Sequence, residues 1–133
     1  MALSSVREAV GPYQMIPLEW NFAAADAAGT MADRGHSQST VLTYESLWSG
    51  FVAGYSVDAV GGNLADADYL IHVAGSPVAA SAFTVVDAAV QTGSFLPSAV
   101  PFAAGDALAL ELDDKTTGRV TIVTLYLVVN CGA

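Results

Sequence analysis

The chain has 133 residues, 53% of them hydrophobic and only 13% charged, against roughly 25% charged in an ordinary soluble domain. Its net charge is -9, from 4 basic and 13 acidic residues. The basic residues Arg7, Arg34, Lys115 and Arg119 are dispersed along the sequence with no cluster to neutralise phosphates, so no nucleic-acid partner is expected and anionic membranes are disfavoured. A small domain needs many polar side chains to face water, and this one has too few for a free monomer; the excess apolar surface is expected to be buried against other protein.

In chain order, residues 1–12 read as an extended N-terminal arm, ending at Gly11-Pro12 and ordered only where a partner holds it. Its opening, Met1-Ala2-Leu3-Ser4-Ser5-Val6-Arg7-Glu8, lacks the apolar core of a secretory signal, so synthesis and folding in a cytoplasm are expected. Residues 13–133 read as a single domain with the two-residue periodicity of strands. Phe51, Ala53, Tyr55 and Val57 alternate with Val52, Gly54, Ser56 and Asp58. Tyr69, Ile71 and Val73 alternate with Leu70 and His72, and Leu108, Leu110 and Leu112 with Ala109 and Glu111.

Turn signals punctuate these runs at Gly61-Gly62-Asn63, Gly75-Ser76-Pro77, Ala104-Gly105-Asp106 and residues 113–118. Strands are expected at 14–22, 40–48, 50–60, 68–75, 79–86, 99–102, 106–112 and 119–130. Residues 23–39, rich in Ala, Gly, Asp and Ser, read as a long loop or one short helical turn. The fold class is therefore all-β: an antiparallel β-sandwich, jelly-roll-like, of about eight strands.

The last strand is apolar on both faces. Val120, Ile122, Tyr126 and Val128 share one with Thr124; Val123, Leu125, Leu127 and Val129 share the other with Thr121. In a sandwich one face meets the second sheet, and the other then needs a neighbouring subunit or a folded-back arm. The run Val120–Val129 is also the longest apolar stretch, and is about half of the ~20 residues a membrane-spanning helix requires, so no membrane partner is expected.

The residues that carry chemistry are sparse. His36 sits in the polar run Asp33-Arg34-Gly35-His36-Ser37, and His72 lies inside a strand; they read as a solvated and a satisfied histidine. No Gly-x-Ser-x-Gly elbow, P-loop or Gly-x-Gly-x-x-Gly is present. One cysteine, Cys131, permits no internal disulfide, and with two histidines leaves a zinc site short of ligands. Asp66, Asp68, Asp113 and Asp114 read as solvated loop carboxylates rather than calcium ligands, and Asp106 as a turn support. No enzyme, cofactor or metal is expected.

Trp20 and Trp48 read as core or subunit-interface residues, with a sugar-stacking platform as the alternative. The run Tyr69-Leu70-Ile71-His72-Val73-Ala74-Gly75-Ser76-Pro77-Val78, followed by Val100-Pro101-Phe102-Ala103-Ala104-Gly105-Asp106-Ala107-Leu108-Ala109-Leu110-Glu111-Leu112, resembles the small jelly-roll domains of bacteriophage virions over residues 50–130. Such domains occur as trimeric capsid decoration (cement) proteins and as fibre tips. The resemblance implies a homotrimer that clamps the major capsid protein on the outer virion surface, or alternatively a head- or tail-fibre tip that recognises a cell-surface glycan. The residues expected at interfaces are Leu3, Val6, Tyr13, Trp20, Tyr126, Leu127 and Val128.

Overall fold

The computed structural model of the chain describes residues 13–22, 27–32, 44–60, 67–85, 90–115 and 120–132. The expected arm, with Leu3 and Val6, lies outside them, as do His36 and Asp66. The described residues form eleven strands: β1 (Tyr13–Phe22), β2 (Thr30–Ala32), β3 (Tyr44–Glu45), β4 (Gly50–Val60), β5 (Ala67–Val73), β6 (Ser76–Pro77), β7 (Phe83–Val85), β8 (Val90–Ser94), β9 (Pro101–Phe102), β10 (Ala107–Lys115) and β11 (Val120–Asn130).

The strands build two sheets. The first runs β1-β11-β4-β8, with β9 also on β4; the second runs β2-β10-β5-β6, with β3 also on β10 and β7 on β5. Every pairing is antiparallel. Because β2 and β3 share one flank of β10, and β6 and β7 one flank of β5, each sheet holds four strand positions. The chain crosses between sheets at each step, from β1 to β2–β3, β4, β5–β7, β8–β9, β10 and β11. This is an antiparallel β-sandwich with the jelly-roll strand order.

The core lies between the inner faces. Leu18, Trp20 and Phe22 of β1, Val52 and Val57 of β4, and Val123, Leu125, Leu127 and Val129 of β11 meet Tyr69, Ile71, Phe83, Leu108, Leu110 and Leu112 of the second sheet. An aromatic column runs through it. Tyr55 stacks on Phe83 at 3.9 Å between centroids, and Tyr69 lies 5.3 Å from both Phe83 and Phe22. Two buried polar links are satisfied. The Tyr69 hydroxyl hydrogen-bonds Thr121 Oγ1 across the sheets at 2.9 Å. The Ser81 hydroxyl accepts from the Ile71 N–H at 2.8 Å and donates to the Val78 carbonyl at 2.6 Å.

Several expected boundaries move for local reasons. The strand expected over 40–48 has ended by Ser46, whose hydroxyl donates to the Trp48 carbonyl at 2.6 Å and accepts the Trp48 N–H, closing a turn. The strand expected over 79–86 opens instead as a 3-10 turn, Ala79–Ser81, and only Phe83–Val85 is extended. Strand β10 continues to Lys115 through an irregularity between Leu112 and Asp114. Strand β2 falls inside the segment expected to be a loop, and β8 where no strand is expected. Among the described residues, no helix is long and apolar enough to cross a membrane.

Candidate assembly surface

The outer face of the first sheet is built from the residues that alternate with its core. Register fixes its rows. Tyr13 pairs with Asn130; Met15 lines up with Val128, Phe51 and Pro101; Pro17 with Tyr126, Gly54 and Ser94. Beyond them, Glu19 lines up with Thr124, Ser56 and Thr92, and Asn21 with Ile122 and Asp58. The face is therefore divided. The first three rows hold mainly aromatic, aliphatic and proline side chains, with Asn130 and Ser94 at their margins and no charge, and the last two hold the carboxylates of Glu19 and Asp58. The Tyr126 hydroxyl marks the boundary, 3.1 Å from Ser56 Oγ.

On the apolar half, Tyr13 and Met15 are 50% and 63% exposed, Pro17 and Pro101 are exposed, and Phe51, Tyr126 and Val128 are half-buried. The adjoining end of the sandwich is apolar too. Leu47 and Leu96 are 79% and 74% exposed and Trp48 36%. Backbone hydrogen bonds hold their loops beside the same rows. Asn130 N–H donates to the Ser49 carbonyl, and Phe95 N–H to the Ala53 carbonyl, each at 2.9 Å. All five large apolar side chains that are exposed among the described residues thus belong to one end of the molecule.

The polar candidates have structural partners. His72, on the outer face of the second sheet, lies 2.6 Å from Glu111 Oε1 through Nε2, with both side chains largely covered. Asp68 accepts a hydrogen bond from the Thr84 hydroxyl at 2.6 Å. Asp106 accepts the Ala103 N–H at 2.8 Å, supporting the turn at Gly105 as its spacing predicts. Asp113 and Asp114 are exposed. Burial raises the pKa of Tyr69 above its ordinary 10.0, against a smaller opposing effect of the Thr121 hydrogen bond. Among the described residues no three His, Cys, Asp or Glu side chains gather to hold a metal. Cys131 is a half-buried free thiol.

Of the residues expected at interfaces, Tyr13, Tyr126 and Val128 lie together on the outer apolar face. Trp20 and Leu127 do not join them: both point inward and are fully buried, because their register aligns them with the core row of each strand. Trp20 is therefore a core residue and is excluded as an exposed sugar platform. Sequence reasoning missed Met15, Phe51 and Pro101. The signal that would have found them is pairing register, since each aligns with Val128.

No family model and no curated protein matches the sequence. Solved structures of similar fold include the CBM36-1 domain of a multidomain xylanase from the hindgut metagenome of Trinervitermes trinervoides, at 9% identity and a TM-score of 0.51, covering 90% of this chain and 98% of that one. The capsid of Ralstonia phage GP4 is similar over 90% of this chain and 85% of that chain, at 9% identity and a TM-score of 0.47. A Tobacco streak virus coat protein dimer is similar over 92% and 88%, also at 9% identity and 0.47. At these identities the likeness is one of fold.

Proposed function

We propose that the chain is a structural virion protein without catalytic activity: a trimeric decoration protein on the outer capsid surface, which stabilises contacts between shell subunits. The observation that carries this reading is the charge-free, apolar half of the outer face together with the apolar end beside it. A chain of net charge -9 with 13% charged residues leaves such a surface bare only at the expense of solubility, unless another protein covers it. The acidic balance suits a position outside the shell, away from packaged nucleic acid. Of the N-terminal segment expected to anchor the chain, Leu3 through Trp20, the part from Tyr13 onward is β1, so residues 1–12 supply the capsid anchor.

Light scattering after size exclusion tests the oligomer, with a single species expected at three times the 13.6 kDa chain mass. Electron cryomicroscopy of the virus particle tests the location, with density for the sandwich expected on the outer surface. Deleting residues 1–12 is expected to lower occupancy on the particle while the domain stays folded. A bare shell in particles that contain the protein would overturn the virion-surface reading.

Tyr13 and Trp48, both exposed at one end, favour a second reading, a fibre-tip module that stacks on a glycan. Their neighbours Leu47 and Leu96 offer a sugar no hydrogen bonds, so the assembly reading stands ahead. Glycan binding that disappears in Trp48→Ala with the fold intact would reverse that order.

A further inference from the structure

We propose that the apolar half of the first sheet's outer face is the self-association surface of this protein, its occupant the same face or end of a second copy of the chain. The proposal rests on the assembly reading and assigns the part of it that concerns copies of this chain. The surface is centred on Met15, Val128 and Phe51, flanked by Tyr13, Pro17 and Tyr126.

The argument is one of charge placement. Two copies, each at -9, repel, and they approach most closely where neither carries charge. On this face the three apolar rows contain no ionisable carboxylate or cation, while Glu19 and Asp58 are set back in the last two rows. An uncharged apolar surface meets an uncharged apolar patch of a second copy without charge repulsion, whether the contact is isologous or the heterologous contact of a trimer. It offers nothing to a basic partner, for which the Glu19 and Asp58 half is better suited.

The edge of the same sheet argues for contact through the face. Strand β1 is ten residues long, and among the described residues it pairs with β11 alone, which makes it the edge of the described sheet. Pro17 at its middle has no N–H to give a neighbouring strand, a feature that blunts edge-to-edge pairing. Copies are thereby directed to meet through side chains rather than by extending the sheet.

The test is the association constant of the full chain and three variants, measured by sedimentation equilibrium, with circular dichroism confirming the fold. Met15→Glu places like charges at the contact and is expected to weaken association ~tenfold or more. Met15 is exposed, so the change spares the core. Glu19→Lys, on the polar half, is expected to shift association far less than Met15→Glu. Deleting residues 1–12 is expected to leave the oligomer intact. If Met15→Glu associates as the parent does, the face assignment falls while the virion reading stands. If the parent is a monomer that becomes an oligomer only on deletion of residues 1–12, that segment covers the face in place of a second copy, and the proposal falls. A parent chain that stays monomeric at every concentration yet decorates the particle also overturns it, again without touching the virion reading.

Discussion

Single residues explain how this sandwich accommodates polar groups in a nearly unbroken apolar interior. Tyr69 is the clearest case. Its ring belongs to the aromatic column, and its hydroxyl reaches Thr121 on the opposite sheet, where both groups are almost completely buried. Tyr69→Phe is expected to destabilise the fold by about 1–2 kcal/mol, because it deletes a hydrogen bond and strands the Thr121 hydroxyl. The same residue gives a pH signature. The folded chain holds the Tyr69 proton to higher pH than the unfolded chain does, so this contribution to stability is complete below about 10 and is lost as pH rises beyond it. Chemical denaturation between neutral pH and alkaline pH should show the parent losing more stability than Tyr69→Phe over that range. Equal losses would remove Tyr69 as the cause.

At the scale of elements, legibility followed the strength of side-chain alternation. Strands β10 and β11 were readable because their core faces carry a large apolar residue at nearly every second position. Strand β4 was readable as a strand but not in its faces: an irregularity at Ala53 sends Val52, Tyr55 and Val57 inward and Phe51 outward, which splits the expected set Phe51, Ala53, Tyr55 and Val57. Strand β8 was not, and the reason is steric. Its inward position Gly93 pairs with Tyr55, whose ring fills the space a side chain would take. The core is there supplied by the neighbouring strand, so Val90-Gln91-Thr92-Gly93-Ser94 carries no alternation to detect. Strand β2 is only three residues long and is held by pairing with β10, information that its own sequence lacks. The candidate surface was half legible for a related reason. The two-faced character of β11 pointed to Tyr126 and Val128, but Met15, Phe51 and Pro101 joined them through register across four strands. Trp20 was misplaced because size and aromaticity do not tell which face a residue takes.

The β5–β6 hairpin offers a test at this scale. Val73 pairs with Ser76 across a two-residue turn, and both turn residues are left-handed, Ala74 at φ 53 and Gly75 at φ 82. That geometry matches the right-handed twist of the strands and favours Asn-Gly, whereas an alanine side chain crowds its own backbone there. Ala74→Asn is expected to stabilise the protein by about 0.5–1 kcal/mol, read as a rise in thermal midpoint. Ala74 is exposed, so no lost packing offsets the gain. An unchanged or lower midpoint would show that the turn relaxes around alanine without penalty.

For the whole molecule, the decisive feature is the separation of charge from apolar surface. The chain carries few charges, 13 acidic against 4 basic, and keeps them off the three rows that include Met15 and Val128. Association through those rows makes no ion pairs across the contact, so added salt has no attraction there to screen. What salt does screen is the repulsion between two acidic bodies, which extends over ~10 Å at 0.1 M ionic strength and shortens as salt rises. Self-association should therefore tighten as sodium chloride is raised from low concentration to about 0.5 M, and should be favoured further as pH falls towards the sequence isoelectric point near 4.1. Met15→Glu should show a steeper salt dependence than the parent, because it adds a short-range repulsion that screening relieves. Association that weakens with salt would instead mean that opposite charges meet at the contact, and would move the interface away from the apolar rows to a surface where one of the few basic residues can reach an acidic one.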